Sequence, residues 1–279
     1  MKTILVPTDF SEASLNAALY AIGFAKQVDA KKIIFYHTYT IPIHLPIEPL
    51  TADVDIVEID SLKNAAQQGL QYFEKHIKQI CPTSIEIELL ANYGFISDDI
   101  KLVCKDLNVD IIIMGISKGG IFSENIIGND AIIIARNALV PVVVVPNEKT
   151  YKSISSILLV SDLKDIETIT PVETILSILS ETKAKLTVLH VVDEINHAHY
   201  KDALAREKIK GMFMNYNPEL YFVAEGDFVS SINNFAETNK ADLVICIPKK
   251  HSLLQSIFVK SHTKDLAYHS EIPILAVHS

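Results

Sequence analysis

Two segments hold residues whose types and spacing suit ligand chemistry. In "VPTDFS", Asp9 stands just past the apolar run Ile4-Leu5-Val6. In "DIIIMGISKGGIFSENIIGN", residues 110–129, four of the chain's nine glycines (Gly115, Gly119, Gly120 and Gly128) follow a second apolar run, Ile111–Met114. Gly115 is expected to let the backbone leave that run at angles closed to other residues. Gly128 and Asn129 precede a helical pattern carrying Ile132, Ile133 and Ala135. There the unpaired N–H groups and the positive end of the helix dipole attract anions. A glycine at 128 lets a phosphate approach the backbone, and the Asn129 amide adds a donor.

The elements that position these residues follow from periodicity. Short β-rich runs at 3–7, 32–38, 85–91, 110–114 and 141–145 read as strands. Between them, 12–28, 61–80 and 95–107 have helical apolar spacing, for example Ile96, Ile100 and Val103. Continuous apolar strands separated by helices predict a mainly parallel sheet covered on both faces. In such doubly wound sheets ligands bind outside the carboxyl ends of the strands, where strand order reverses. Asp9 and the glycine segment both fall at strand ends of that kind.

The unit occurs twice. "ILVPTDFSEAS" at 4–14 matches "ILLVSDLKDIE" at 157–167, and "IIFYHTY" at 33–39 matches "LTVLHVV" at 186–192. Both have an offset of 153, which sets Asp9 over Asp162 and His37 over His190. Further along, Gly94 matches Gly226, Asp110 matches Asp242 and Pro141 matches Pro273, at an offset of 132. Taking 132 from 153 leaves 21 extra residues in the first half, which residues 40–60 supply. Pro42, Pro46 and Pro49 break regular structure there, and a flap beside the cleft is expected. The expected fold is α/β: two tandem doubly wound, Rossmann-like domains with five-stranded sheets, 1–147 and 152–279. Their last strands, Val142–Val145 and Ile274–Val277, are expected to pair the halves face to face as a pseudo-twofold intrachain dimer, which would cover exposed edges.

Composition narrows the function. With 279 residues, 49% hydrophobic and 21% charged, the chain can build a sizeable core. A net charge of -9 argues against nucleic-acid and anionic-membrane partners. No apolar run approaches the roughly 18 residues that span a membrane. The start runs straight into a strand without signal-peptide architecture, and Cys81, Cys104 and Cys246 form no CxxC pair. A cytoplasmic protein is expected. His251, His262, His269 and His278 lack zinc-ligand spacing, so no metal site is predicted. Neither a GxSxG elbow nor a P-loop occurs, and no catalytic residue is assigned.

The aspartate after strand one, then Gly-x-x-Gly, nine residues and Gly-Ser/Thr after strand four, together with "LHVVDE" at 189–194 and "VPVVVV" at 140–145, resembles the universal stress proteins. The resemblance covers nearly the whole chain twice. It implies an adenine nucleotide α-hydrolase-like fold and, in members with the full pattern, ATP. Carried over by position, it places Pro7, Asp9, Thr38, Met114, Gly115, Gly128, Asn129, Asp130 and Ala131 around that ligand. Asp9 would then lie near the adenosine and the glycines around the phosphates. The second glycine position is Lys118 and the Ser/Thr position is Asn129. Lys118 either faces a phosphate or obstructs the loop. In the second half the three glycine positions are Ile247, Lys250 and Lys260, so a nucleotide is expected in the first domain only. The basic segment there (Lys249, Lys250, His251, Lys260, His262 and Lys264) is either a solvated face or a contact for another anion or a partner.

Plainer readings stand beside these. Asp9, three residues before Glu12, could be a helix cap in a capping-box variant. His37 and His190 read as a shared packing or hydrogen-bonding pair. At the level of function the resemblance implies a stress-response sensor or regulator that binds adenine nucleotide and meets unidentified protein partners. The rivals are a nucleotide-independent interaction scaffold and a weak ATP hydrolase with no general base beyond Asp9.

Overall fold

A computed structural model describes residues 1–41, 56–116, 131, 133–135, 138–147, 149–161, 163, 166–192, 203–224, 228–247 and 272–278. The first half runs β1 (Thr3–Pro7), α1 (Glu12–Gln27), β2 (Lys32–Tyr39), α2 (Ile56–Lys78), β3 (Glu86–Tyr93), α3 (Ile96–Asp106), β4 (Ile111–Ile116) and β5 (Val142–Pro146). The second half contributes β6 (Ser156–Val160), β7 (Lys185–Val192), β8 (Glu219–Ala224), β9 (Leu243–Cys246) and β10 (Ile274–Ala276). Helices Val172–Thr182, Ala203–Met212 and Phe228–Thr238 lie between its strands. Helix α2 starts five residues before the expected 61, because no proline follows Pro49 to block the upstream turn. The rest of the 40–60 segment, 42–55, lies outside the described residues, as does the flap expected there.

The ten strands form one sheet, in the order β3-β2-β1-β4-β5-β10-β9-β6-β7-β8. Each half is doubly wound and parallel throughout, and its order reverses between the first and fourth strands of the unit. The halves meet where Ile274, Leu275 and Ala276 pair antiparallel with Val144, Val143 and Val142. The expected pairing of last strands is therefore present, but edge to edge. Joining the two edges satisfies backbone groups that would otherwise face solvent, and turns two five-stranded sheets into one.

Core packing also runs across the halves. On one face a single apolar layer includes Ile4, Phe24 and Phe35 of the first half with Ile157, Ile178 and Phe213 of the second. The other face carries two layers, one around Ile34, Ile100 and Ile112, the other around Leu158, Ile232 and Val244. Helix α1 lies close to the sheet because its buried side is mostly alanine: Ala13, Ala17, Ala18, Ala21 and Ala25. Among the described residues no helix is long and apolar enough to cross a membrane.

Candidate functional site

The turn from β1 into α1 is held by its own side chains. Thr8 is buried; its Oγ accepts from the Phe10 N–H at 3.1 Å and donates to Ser14 Oγ at 3.0 Å. Ser14 Oγ donates in turn to the Ser11 carbonyl at 2.9 Å. Ser11 is the N-cap of α1, its Oγ accepting from the Ser14 N–H at 3.2 Å. Asp9 is therefore not the cap. It sits two residues earlier, where its Oδ1 accepts from the Ser11 N–H at 3.0 Å and Ser11 Oγ at 2.6 Å. This closes an Asx turn.

Phe10 takes a left-handed backbone, φ 66°, and its ring lies 4.4 Å from that of His37. Gly69 of α2 makes room for it, since a Cβ there would come within 2.7 Å of the Phe10 ring. His37 Nδ1 donates to the Thr8 carbonyl at 2.7 Å, which locks the end of β2 to the end of β1. The second half repeats the device. Leu163 has φ 57°, its N–H donates to Ser161 Oγ at 3.2 Å, and His190 Nδ1 donates to the Ser161 carbonyl at 2.8 Å. The matched histidines thus share one hydrogen-bonding role.

At the carboxyl ends of β1 and β4, where the first half's strand order reverses, lies a cavity of about 200 Å³. Its wall includes Pro7, Asp9, Thr38, Met114 and Gly115. Five of the ten residues singled out from the sequence are thereby brought together. Ala131 is fully buried in the core layer that also holds Met114 and Ile134, and does not line the cavity. Lys118, Gly128, Asn129 and Asp130 lie outside the described residues, as do Asp162 and the second half's segment 248–271.

Sequence reasoning missed the other lining residues: Thr8, Ser11, Ser14, Tyr36, His37, Ile96 and Ile134. Ser11 and Ser14 had a signal, because they follow Asp9 into the first turn of an expected helix. Ile96 read only as part of a helical apolar pattern, Ile134 was not singled out, and neither had a signal. Among the described residues the wall therefore combines hydroxyls and the Asp9 carboxylate on the α1 side with apolar surface from Ile96, Met114 and Ile134. Burial, with the Asp99 carboxylate nearby, pushes the Tyr36 phenol up to about 12, so it stays neutral at ordinary pH. Such a wall suits a partly apolar ligand that carries hydrogen-bond donors.

Gly115 acts differently from the expectation. It lies within β4 and its backbone is not left-handed. What requires glycine is proximity, since a Cβ there would stand 2.1 Å from the Ala13 carbonyl oxygen in the first turn of α1. The matching position in the second half is Ile247, only 1% exposed, so no equally close approach exists there.

A sequence profile of the Universal stress protein family matches residues 1–146 and again residues 154–278. A universal stress protein of Methanocaldococcus jannaschii is 30% identical over 149 residues, 53% of this chain and 84% of its own. A universal stress protein from Archaeoglobus fulgidus has a similar solved structure, with TM-score 0.69 at 18% identity, covering 99% of this chain and 96% of its own. Another, solved in complex with cAMP, is 20% identical over 53% of this chain and 98% of its own, with TM-score 0.38. Because the profile is met twice along one polypeptide, in halves that share one strand order, the chain belongs to the universal stress protein family.

Proposed function

We propose that the protein is a cytoplasmic stress-response regulator whose first domain, 1–147, binds an adenine nucleotide, ATP foremost, while its second, 152–279, does not. The observation that carries this reading is the convergence of Pro7, Asp9, Thr38, Met114 and Gly115 on one cavity at the strand-order reversal. The adenosine lies against Met114 and the ends of β1 and β2, with Asp9 accepting from one of its donors. By motif position, the phosphates are assigned to Gly128, Asn129 and Asp130, which immediately precede Ala131 in the sequence. Lys118 lies ten residues before Gly128 in the sequence.

Calorimetric titration of the intact protein with ATP tests the reading. Saturable one-to-one binding, weakened at least about tenfold in Asp9→Ala and in Gly128→Val, is expected. No heat and no co-purified nucleotide would overturn it. Lys118→Gly separates the two roles of Lys118: affinity falls if the ammonium faces a phosphate and rises if the side chain obstructs the loop.

A second reading, a nucleotide-independent scaffold, rests on the second half, where Ile247, 1% exposed, stands in the place of Gly115 and the glycine motif is lost, a loss that would extend to the first half's function. Unchanged partner capture by a protein that binds no ATP would select it.

A further inference from the structure

We propose that Ser11 is the positioning residue for Asp9, holding one carboxylate oxygen so that the other is presented to the ligand. This rests on the reading that the cavity takes an adenine nucleotide. Both donors of Ser11, its N–H at 3.0 Å and its Oγ–H at 2.6 Å, reach the same atom, Asp9 Oδ1. Among the described residues, no hydrogen bond reaches Oδ2. An exposed aspartate ordinarily samples several rotamers, and fixing one costs side-chain entropy that binding would otherwise have to supply. Here folding supplies it, because Ser11 is itself fixed as the N-cap of α1.

The directions of the hydrogens make the arrangement specific. Ser11 Oγ accepts from the Ser14 N–H, so its own hydrogen points away from the helix and to Asp9. The Ser14 hydroxyl, which also lines the cavity, gives its hydrogen to the Ser11 carbonyl and is not in competition for Asp9. One helix start therefore orients one carboxylate, and among the described residues Oδ2 is left as an acceptor without a donor of its own. The group that meets it must be a donor, a hydroxyl or amino group of the ligand, and not a phosphate oxygen.

Two measurements on the intact protein test this. In the ligand-free state, three-bond couplings at the Asp9 β-protons report its χ1 populations. One dominant rotamer is expected in the wild type and in Ser11→Thr, and averaging in Ser11→Ala, where the 2.6 Å hydroxyl bond is gone and only the longer N–H bond of the turn is left. ATP titration should then show affinity lowered about fivefold in Ser11→Ala and within about twofold of wild type in Ser11→Thr. The double variant Ser11→Ala/Asp9→Ala should bind as Asp9→Ala does, because Ser11 acts only through Asp9. A mere capping role would instead multiply the two losses, and that result overturns the proposal. Averaging of Asp9 already in the wild type, or a single rotamer kept in Ser11→Ala, overturns it as well. Should Ser11→Ala fail to fold, Ser11→Gly carries the same measurements, since glycine is nearly as good an N-cap. Absence of ATP binding in the wild type would remove the nucleotide reading, while the couplings still decide whether Ser11 holds Asp9.

Discussion

Tyr151, in the connection between the two halves, packs directly onto Gly23 of α1: a methyl group at Gly23 would lie 2.3 Å from Cδ1 of the tyrosine ring. The same ring meets Tyr20 edge-on at 4.9 Å. Its hydroxyl donates to Gln27 Oε1, which also accepts from the Ile154 N–H. Gln27 Nε2 donates to the carbonyls of Ile154 and Thr182. Helix α1 thus touches the cavity at its first turn and clasps the connection along the rest of its length.

This contact sets the sign of an otherwise ambiguous substitution. Gly23→Ala gains about 1 kcal/mol of helix propensity, but forcing a methyl group into a filled space costs about 1–3 kcal/mol. Net destabilisation is expected, read as a lower urea midpoint. In a Tyr151→Ala background the space is empty, and Gly23→Ala should become stabilising. The same sign in both backgrounds would refute the contact.

Gly115→Ala should be worse. The obstacle is the Ala13 carbonyl, a backbone atom that no rotamer change can remove, so α1 must move off β4. We expect a loss of at least about 3 kcal/mol and, on the proposal that the cavity takes ATP, a fall in its affinity as the Asp9–Ser14 turn shifts. Urea unfolding and titration measure both. A fully stable Gly115→Ala protein would mean the approach is not so close.

Two aspartates staple the starts of strands in equivalent places. Asp110 Oδ2 accepts from the N–H groups of Lys2 and Thr3 at 2.6 and 2.9 Å. Asp242 Oδ2 accepts from the N–H groups of Ser155 and Ser156 at 2.8 and 3.0 Å, and from Ser155 Oγ at 2.8 Å. Replacing either by alanine should cost about 1–2 kcal/mol, and Asp242, with the extra donor, should cost more. The reverse ranking in chemical denaturation would contradict this.

Alkaline pH should destabilise the protein from about pH 9 upward. Burial pushes the Cys104 thiol up to about 11 and Cys246 up to about 12, from an ordinary 9.0. Above pH 9 the unfolded chain releases these protons while the folded chain keeps them. The stabilising contribution is therefore complete below pH 9 and is lost as pH rises toward 11 and 12. Unfolding free energy measured between pH 8 and 10.5 should fall, and fall less steeply in Cys104→Ala/Cys246→Ala. Equal slopes would assign the loss elsewhere.

Expressed alone, residues 1–148 should self-associate. The isolated half exposes the β5 edge, Val142–Val145, and the apolar layer it shares with the second half. Sedimentation should show dimers or larger species. A stable, soluble monomer would mean that each half completes its own core.

Much of this was legible in the primary structure because it is local or repeated. Strand and helix periods need only a few consecutive residues, and the pairs His37/His190 and Asp110/Asp242 announced themselves by constant offsets. The structure then attaches one hydrogen-bonding role to each pair. The placement of Asp9 and Gly115 at strand ends followed from the apolar runs before them, while the strand order that sets those two ends at the reversal is a tertiary fact. What makes those residues work is nonlocal. Ala13 is 102 positions from Gly115, and Tyr151 is 128 from Gly23, and no local pattern signals that their atoms compete for one space. Glycine looked like a source of backbone freedom at 115, whereas it is the absence of a side chain against a carbonyl that matters. Likewise Asp9 looked like the cap until folding put Ser11 Oγ between it and the helix. A sequence specifies which groups can bond within a turn; distances between segments arise only when helices are pressed onto a sheet, and only that packing sets Ser11 and Ser14 of the α1 turn and Met114 and Gly115 of β4 around one cavity.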